Sequence, residues 1–100
     1  MRVEISKSSR GGKKYQATAN TGNTGKTVHF GAVGYESFVD HKDPKRRENY
    51  ISRHSNEDHS RSNIMSPAFM SRWVLWEKPT LKGAVAHLNK KHSGVKFYLK

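Results

Sequence analysis

The chain has 100 residues, no cysteine and a formal net charge of +11. This length suits one small core, so we predict a single domain over residues 1–100. The lack of cysteine excludes a disulfide framework and a thiolate zinc site, and no apolar run approaches the length of a membrane span. Since the first ten residues also lack the apolar region of a signal peptide, we expect an intracellular protein.

The composition lies close to the border between folded and disordered chains. Ile, Leu, Val and Phe make up 18 of the 100 residues, a fraction that is typical of disorder when the net charge is high. Against this stand ten aromatic residues placed in periodic segments. We therefore expect a folded domain with a small core, which gains stability from a partner.

Alternation of apolar and polar residues predicts four strands. They run over residues 2–6, 14–19, 27–30 and 95–100. Polar and glycine-rich turns at 8–13 and 20–25 separate the first three strands, which we expect to form an antiparallel meander. Gly31 and Gly34 then lead the chain out of the sheet.

Capping residues predict about three helices in the rest of the chain. The helices run over residues 44–54, over 66–76 and from 81 to about 92, and their N-caps are Asp43, Ser66 and Thr80. Residues 36–39 suit a short helical turn, and the polar segment 55–63 suits an exposed loop. This order predicts an α+β fold, in which a small antiparallel sheet carries the helices on one face.

Residues 66–76 hold both tryptophans and are apolar on nearly every side of the predicted helix. A helix of this kind must be covered on nearly every side, so we place it as a buried, Trp-rich helix at the centre of the core. The predicted core residues are Phe30, Tyr50, Phe69, Trp73, Trp76, Leu81, Val85, Leu88 and Phe97.

Two patterns that would indicate an enzyme are incomplete. Residues 22–27 end like a phosphate-binding loop, but Asn20 stands where that motif needs glycine, and the residues that follow suggest a strand instead of a helix. A nuclease-like metal site could draw on Asp40, His41, Asp43, His54, Glu57, Asp58 and His59. Their spacing contains no H-E-x-x-H pair, and no G-x-S-x-G motif marks a nucleophilic serine. We therefore predict no enzyme, no catalytic residue, no metal, no cofactor and no small-molecule substrate.

The basic residues carry the strongest functional signal. Lysine and arginine number 19 against eight acidic residues, which predicts an anionic partner, either nucleic acid or the acidic face of a protein. The residues predicted to bind it are Lys42, Lys45, Arg46, Arg47, Arg53, Lys82, Lys90, Lys91 and Lys96. Because no base-reading module is recognisable, we expect contacts to the phosphate backbone with little sequence specificity.

An ordered series of short blocks extends from about residue 14 to residue 91. It comprises residues 26–32, 34–35, 41–43, Arg46, Tyr50, Arg53, His54, and residues 71–73, 75–76 and 78–81. This series resembles a small domain family of nucleocytoplasmic large double-stranded DNA viruses, which infect algae and protists. The family has no activity to carry over to this chain. The resemblance implies a viral origin and a place in the virion or in the viral factory of the infected cell.

Composition and resemblance together predict a non-enzymatic minor structural protein of the virion. It would dock on other capsid proteins and on the packaged genome, and its neighbours would help to order it. The alternative is a sequence-nonspecific nucleic-acid-binding protein of the viral factory. A metal-dependent nuclease is the least favoured function.

Overall fold

The computed structural model of the protein describes residues 1–21 and 24–100. Within them the strands are β1 (Arg2–Lys7), β2 (Lys13–Thr21), β3 (Thr24–Ala32) and β4 (Lys96–Leu99). The α-helices are α1 (Phe38–His41), α2 (Pro44–Arg53), α3 (Pro67–Met70) and α4 (Leu81–Lys91). A 3₁₀ turn (Arg61–Asn63) precedes α3, and a π-helical segment (Ser71–Leu75) follows it. The fold is α+β, which confirms the predicted class.

The sheet has the strand order β3-β2-β1-β4. β2 pairs antiparallel with both β1 and β3, as the meander predicts. The sheet is nevertheless mixed, because β4 lies parallel to β1, with Phe97 opposite Val3. A parallel pair needs a long crossover connection, which the helices between β1 and β4 provide. The predicted turn over residues 20–25 includes Gly22 and Asn23, which lie outside the described residues.

One face of the sheet is packed, and the other is polar. Val3 and Ile5 of β1 are at most 1% exposed, and they alternate along the strand with more accessible polar residues. Phe30 of β3 and Phe97 of β4 are buried to the same degree, and α4 packs against β4. The helices therefore cover one face of the sheet, as expected for this fold class.

Each predicted N-cap satisfies an amide of the first helical turn. The capping hydrogen bonds run from Lys45 N to Asp43 Oδ1 (2.9 Å), from Phe69 N to Ser66 Oγ (3.1 Å) and from Gly83 N to Thr80 Oγ1 (3.0 Å). The helical turn expected over residues 36–39 begins slightly later, at Phe38. None of the described helices is both long and apolar enough to cross a membrane.

The helix predicted over residues 66–76 is not one regular α-helix. α3 continues into the π-helical segment Ser71–Leu75, and Trp76 follows its end. Trp76 is 9% exposed, whereas Trp73 is half-buried at the edge of the core. A π-helical turn closes its hydrogen bonds over five residues instead of four. The two indole rings have different neighbours, since Trp76 stacks on Tyr50 and Trp73 stacks on His87.

Most residues predicted for the core are buried in the structure. The buried ones are Phe30, Tyr50, Phe69, Trp76, Val85, Leu88 and Phe97. Trp73 and Leu81 are half-buried and pack against this cluster. Val3, Ile5 and Met70, which were outside the predicted set, also belong to it.

Candidate nucleic-acid interface

α2 carries three polar side chains along one face. Arg46, Asn49 and Arg53 are spaced i, i+3 and i+7, which places them in one row on an α-helix. The helix begins here because Asp43 caps it and Pro44 suits its first position. Arg53 lies in the last turn, where its charge complements the helix dipole.

A groove separates this row from the turn that follows β3. Its lining residues are Tyr35, Glu36, Arg46, Asn49, Arg53 and Trp76, and its volume is about 410 Å³. We call it the α2 groove. Ligand sites in proteins are typically about 300–1,000 Å³, so the groove is large enough for a small organic group.

The guanidinium groups of the two arginines in the α2 groove are accessible to an anionic ligand. Arg46 Nη1 lies 3.4 Å from Glu36 Oε1, and the two side chains are 49% and 62% exposed. An ion pair this exposed contributes about 0–1 kcal/mol, so an anionic ligand can compete with Glu36 for the guanidinium. The side chain of Arg53 makes no ion pair or hydrogen bond within residues 1–21 and 24–100.

Tyr35 forms the wall of the α2 groove opposite Arg46 and Arg53. Its side chain is 76% exposed, more than any other large apolar or aromatic side chain that the structure describes. The turn that carries it is fixed by hydrogen bonds from Tyr35 N to Ala32 O (3.3 Å) and from Val33 N to Gly12 O (3.0 Å). The ring is therefore presented to solvent from an anchored backbone.

A second cleft, the inner cleft, continues from the α2 groove toward the sheet. Its volume is about 330 Å³, and it shares part of its lining with the groove at Tyr35, Glu36 and Trp76. In its wall Tyr50 stacks between Trp76 (centroids 4.2 Å apart) and His54 (4.1 Å). Burial, and next the charge of Glu57, raise the pKa of Tyr50 to about 12. The Tyr50 hydroxyl therefore keeps its proton at neutral pH and can donate a hydrogen bond.

Arg47 and Lys42 were both predicted to bind the anionic partner, but their side chains donate hydrogen bonds to other groups of the protein. Arg47 Nε donates to Trp76 O at 2.8 Å, and Arg47 Nη2 donates to Glu77 Oε1 at 2.7 Å. Lys42 Nζ donates to two backbone carbonyl oxygens, at 2.7 and 2.9 Å. The structure places neither residue in the α2 groove.

The other predicted basic residues lie on separate elements. Lys45 belongs to α2 but not to the groove lining, Lys82, Lys90 and Lys91 belong to α4, and Lys96 belongs to β4. Lys91 Nζ lies 3.5 Å from the centroid of the Trp73 ring, a cation–π contact. Of the nine predicted residues, the structure therefore brings Arg46 and Arg53 together in one groove.

His54 and His59, two of the candidate metal ligands, contact an acid instead. Glu57 Oε2 lies 2.7 Å from His54 Nδ1, and Glu57 Oε1 lies 3.0 Å from His59 Nε2. The hydrogen bond with His54, more than the one with His59, lowers the pKa of Glu57. Within the described parts of the chain, no group of three or more ligand-type side chains could hold a metal ion.

The acids near α1 and α2 also have structural partners. Asp40 Oδ2 accepts hydrogen bonds from Lys14 Nζ (2.7 Å) and from Ser37 N (2.8 Å). Burial alone would raise the pKa of Asp40, but these hydrogen bonds outweigh it and lower the pKa to about 2. Asp43 is the N-cap of α2.

The incomplete phosphate-loop pattern leads into β3, and not into a helix.

Three groove residues, Tyr35, Glu36 and Asn49, received no functional role from the sequence, and Trp76 was predicted only for the core. The spacing of Asn49 from Arg46 and Arg53 would have placed it on their face of α2. No local signal places Tyr35 or Trp76 opposite that face, because the contact joins segments far apart in the chain.

Comparison with known proteins adds one match. Residues 3–54 match the model of a family described as a family of unknown function, DUF5754. The matched stretch extends from β1 to α2 and includes every lining residue of the α2 groove except Trp76. No curated protein and no solved structure matches the chain.

Proposed function

The chain belongs to DUF5754, a family of unknown function, and we propose that it binds nucleic acid through the sugar–phosphate backbone without reading its sequence. The observation that carries this proposal is the α2 groove, in which Arg46 and Arg53 line an open volume of about 410 Å³. The net charge of +11 adds attraction at longer range.

The spacing of the two arginines suits a polyanion. Seven positions separate Arg46 from Arg53, which corresponds to about 10 Å of rise along α2. Phosphates along one strand of B-DNA are about 3.4 Å apart along the axis, so the two guanidinium groups reach separate phosphates. Arginine also matches phosphate geometry, because two of its N–H groups can bond two oxygens of one phosphate.

The salt dependence of binding to duplex DNA tests the proposal. The logarithm of the binding constant should fall linearly with the logarithm of salt concentration, with a slope near −0.9 per phosphate contacted. Replacing Arg46 and Arg53 together by Ala should reduce the magnitude of the slope by about two, and should weaken binding about equally on all sequences. Absence of wild-type binding to both duplex and single-stranded DNA at about 50 mM salt would overturn the proposal.

A control with the same loss of charge uses α4. Lys82→Ala combined with Lys90→Ala removes two exposed lysines that lie outside the α2 groove. This variant should keep the wild-type slope. If it weakened binding as much as the groove variant does, the charge would act from the whole surface and the assignment to the α2 groove would be wrong.

Glu36→Gln tests the same groove by a change that should strengthen binding, whereas the arginine substitutions should weaken it. Glu36 competes with phosphate for Arg46, at 3.4 Å. Its neutralisation should therefore strengthen binding by about 2- to 5-fold, the range expected for an exposed pair. Fluorescence anisotropy with a labelled oligonucleotide measures the change, and weaker binding would contradict the role of Arg46.

The sequence resemblance supports a second proposal, a non-enzymatic structural role in the virion of a large DNA virus. Other capsid proteins would then be partners in addition to the packaged genome. Quantitative mass spectrometry of purified particles is the direct measurement. Absence of the protein at stoichiometric level would exclude this role and would leave binding in the viral factory of the infected cell.

A further inference from the structure

We propose that the α2 groove takes an unpaired base, stacked on the ring of Tyr35, while Arg46 and Arg53 hold phosphates beside it. The protein would then prefer single-stranded to duplex nucleic acid. This inference rests on the proposed backbone binding and adds the class of strand that is bound.

The exposed ring of Tyr35 is the first argument. A tyrosine that is 76% exposed leaves apolar ring surface in water. Its ring makes no aromatic or cation–π contact among the residues that the structure describes. An open aromatic face of this kind accepts any base, because every base has a π face.

The anchored backbone of Tyr35 is the second argument. Hydrogen bonds fix the turn on the side that precedes Tyr35, at Ala32 and Val33. On the other side, the Asp40 carboxylate accepts hydrogen bonds from Ser37 N (2.8 Å) and Ser37 Oγ (2.9 Å). A backbone held in this way loses little conformational freedom when a ligand stacks on the ring that it carries, which favours binding.

The opposite wall of the α2 groove supplies the polar contacts that a nucleotide needs. Arg46 and Arg53 offer charge to the phosphates, and the amide of Asn49 between them offers hydrogen bonds to phosphate or sugar oxygens. Trp76 is 9% exposed, and one of its faces is covered by Tyr50, whose ring is tilted from it by 3°. Tyr35 is therefore the ring that can take the base.

Duplex nucleic acid cannot use this site without opening. Its bases are stacked on both faces, whereas the bases of a single strand can be splayed out onto an aromatic side chain. The arginines would still hold a duplex by its phosphates, so duplex binding depends on charge alone. Stacking then adds affinity for single strands.

Three labelled ligands separate stacking from charge in an anisotropy titration. They are oligo(dT) of about 20 nucleotides, a duplex of the same length, and an abasic strand with the same number of phosphates. The wild-type protein should bind oligo(dT) more tightly than the abasic strand by at least about 5-fold, because only the former offers bases for stacking. Equal affinity for these two strands would overturn the inference.

Substitutions at Tyr35 test the site itself. Tyr35→Ala should weaken oligo(dT) binding by about 5- to 100-fold and leave the abasic strand and the duplex nearly unchanged. Tyr35→Phe keeps the ring and should stay within about 2-fold of wild type. Val33→Ala is the control at a neighbouring exposed apolar side chain outside the groove lining. An equal loss on all three ligands after Tyr35→Ala would contradict stacking.

The outcomes distinguish this inference from the proposed function. Salt-dependent binding that is lost with Arg46 and Arg53 but insensitive to Tyr35 would leave backbone binding intact and remove the base site. Absence of binding to all three ligands would remove both. Displacement of oligo(dT) by a polyglutamate peptide of equal charge, at equal concentration, would show a site for acidic protein chains and would likewise overturn the inference.

Discussion

Arg46 and Arg47 are adjacent in the sequence, but α2 gives them different surroundings. Successive residues of an α-helix are about 100° apart around its axis. The Arg46 side chain is 49% exposed in the α2 groove, whereas Arg47 is 26% exposed and donates to Trp76 O and to the Glu77 carboxylate. One arginine is therefore available to a ligand, and the other contributes to folding.

Arg47→Ala should lower the free energy of unfolding by about 2–3 kcal/mol. The substitution leaves Glu77, which is 12% exposed, with a longer contact to Arg72 at 3.4 Å. Arg47→Lys should recover part of the loss, because one ammonium cannot reproduce the planar set of donors. Arg46→Ala, the matched control, should change stability by less than about 0.5 kcal/mol. Urea unfolding measures all three, and a wild-type midpoint for Arg47→Ala would contradict this role.

The sequence shows the periodicity of α2 but not what each residue contacts. The row Arg46, Asn49, Arg53 follows from helical spacing alone. The partner of Arg47 stands 30 positions further along the chain, so no local pattern could separate Arg47 from the residues predicted to bind the anionic partner.

Ser66, the N-cap of α3, stabilises the start of that helix through two hydrogen bonds. Its hydroxyl accepts a hydrogen bond from Phe69 N (3.1 Å) and donates one to Asn63 O (2.8 Å). Ser66→Ala removes both and should lower the free energy of unfolding by about 1–2 kcal/mol. Ser66→Thr keeps a hydroxyl and should recover most of it. Thermal unfolding followed by circular dichroism measures the difference, and equal melting temperatures for the Ala variant and wild type would show that the cap is dispensable.

β3 and the π-helical segment meet at Gly31. Its φ is +78°, and a Cβ added there would lie 2.9 Å from Leu75 Cδ1. Leu75 is 1% exposed and has little room to move. Gly31→Ala therefore combines backbone strain with overpacking, and should cost about 2–4 kcal/mol of stability.

Substitutions at two other glycines distinguish the cost of backbone strain from the cost of overpacking. Gly34 has φ +93° with nothing within 4 Å of an added Cβ, so Gly34→Ala should cost about 1–2 kcal/mol from strain alone. Gly11 has open space and no such φ, so Gly11→Ala should change stability by less than about 1 kcal/mol. In chemical denaturation the loss of stability should be largest for Gly31→Ala, smaller for Gly34→Ala and smallest for Gly11→Ala. Equal losses for Gly31→Ala and Gly34→Ala would mean that the contact with Leu75 does not constrain packing.

At the scale of elements, local signals predicted what local physics decides. The caps Asp43, Ser66 and Thr80 needed nothing beyond their own first turns. The parallel pairing of β4 with β1 depends on a crossover connection that spans the domain, and the π-helical segment packs against β3, far earlier in the chain. Neither leaves a signal in a short window of sequence.

At the scale of the molecule, the α2 groove is built from three separate segments. They are the turn after β3, the exposed face of α2, and Trp76 beyond the π-helical segment. The sequence predicts each segment, but their approach results from packing of the common core. The charge of the site was therefore predictable, and its shape and its exposed ring were not.

His92, which is buried in this core, should make the stability of the protein depend on pH. It is 6% exposed, between the rings of Phe69 (centroids 5.7 Å apart) and Phe97 (6.5 Å), and its Nε2 is buried without a hydrogen-bond partner in the described residues. Burial, then the charges of Lys91, Arg61 and His87, lower the pKa of His92 below its ordinary value of 6.5. The folded protein therefore holds this imidazole neutral under conditions in which the unfolded chain has begun to protonate it.

Acidification should consequently destabilise the protein in the pH range just below 6.5. The unfolded state binds more protons between pH 6.5 and the lower folded pKa, so the free energy of unfolding falls as pH falls through that window. The contribution of Asp40, whose pKa is about 2, is lost at much lower pH. Melting temperatures measured from pH 7.5 to 5.5 should therefore decline for wild type and decline less for His92→Leu, which has no proton to gain among these apolar neighbours. NMR titration of the His92 ring gives the folded pKa directly, and a value at or above 6.5 would remove this explanation, whatever the melting curves show.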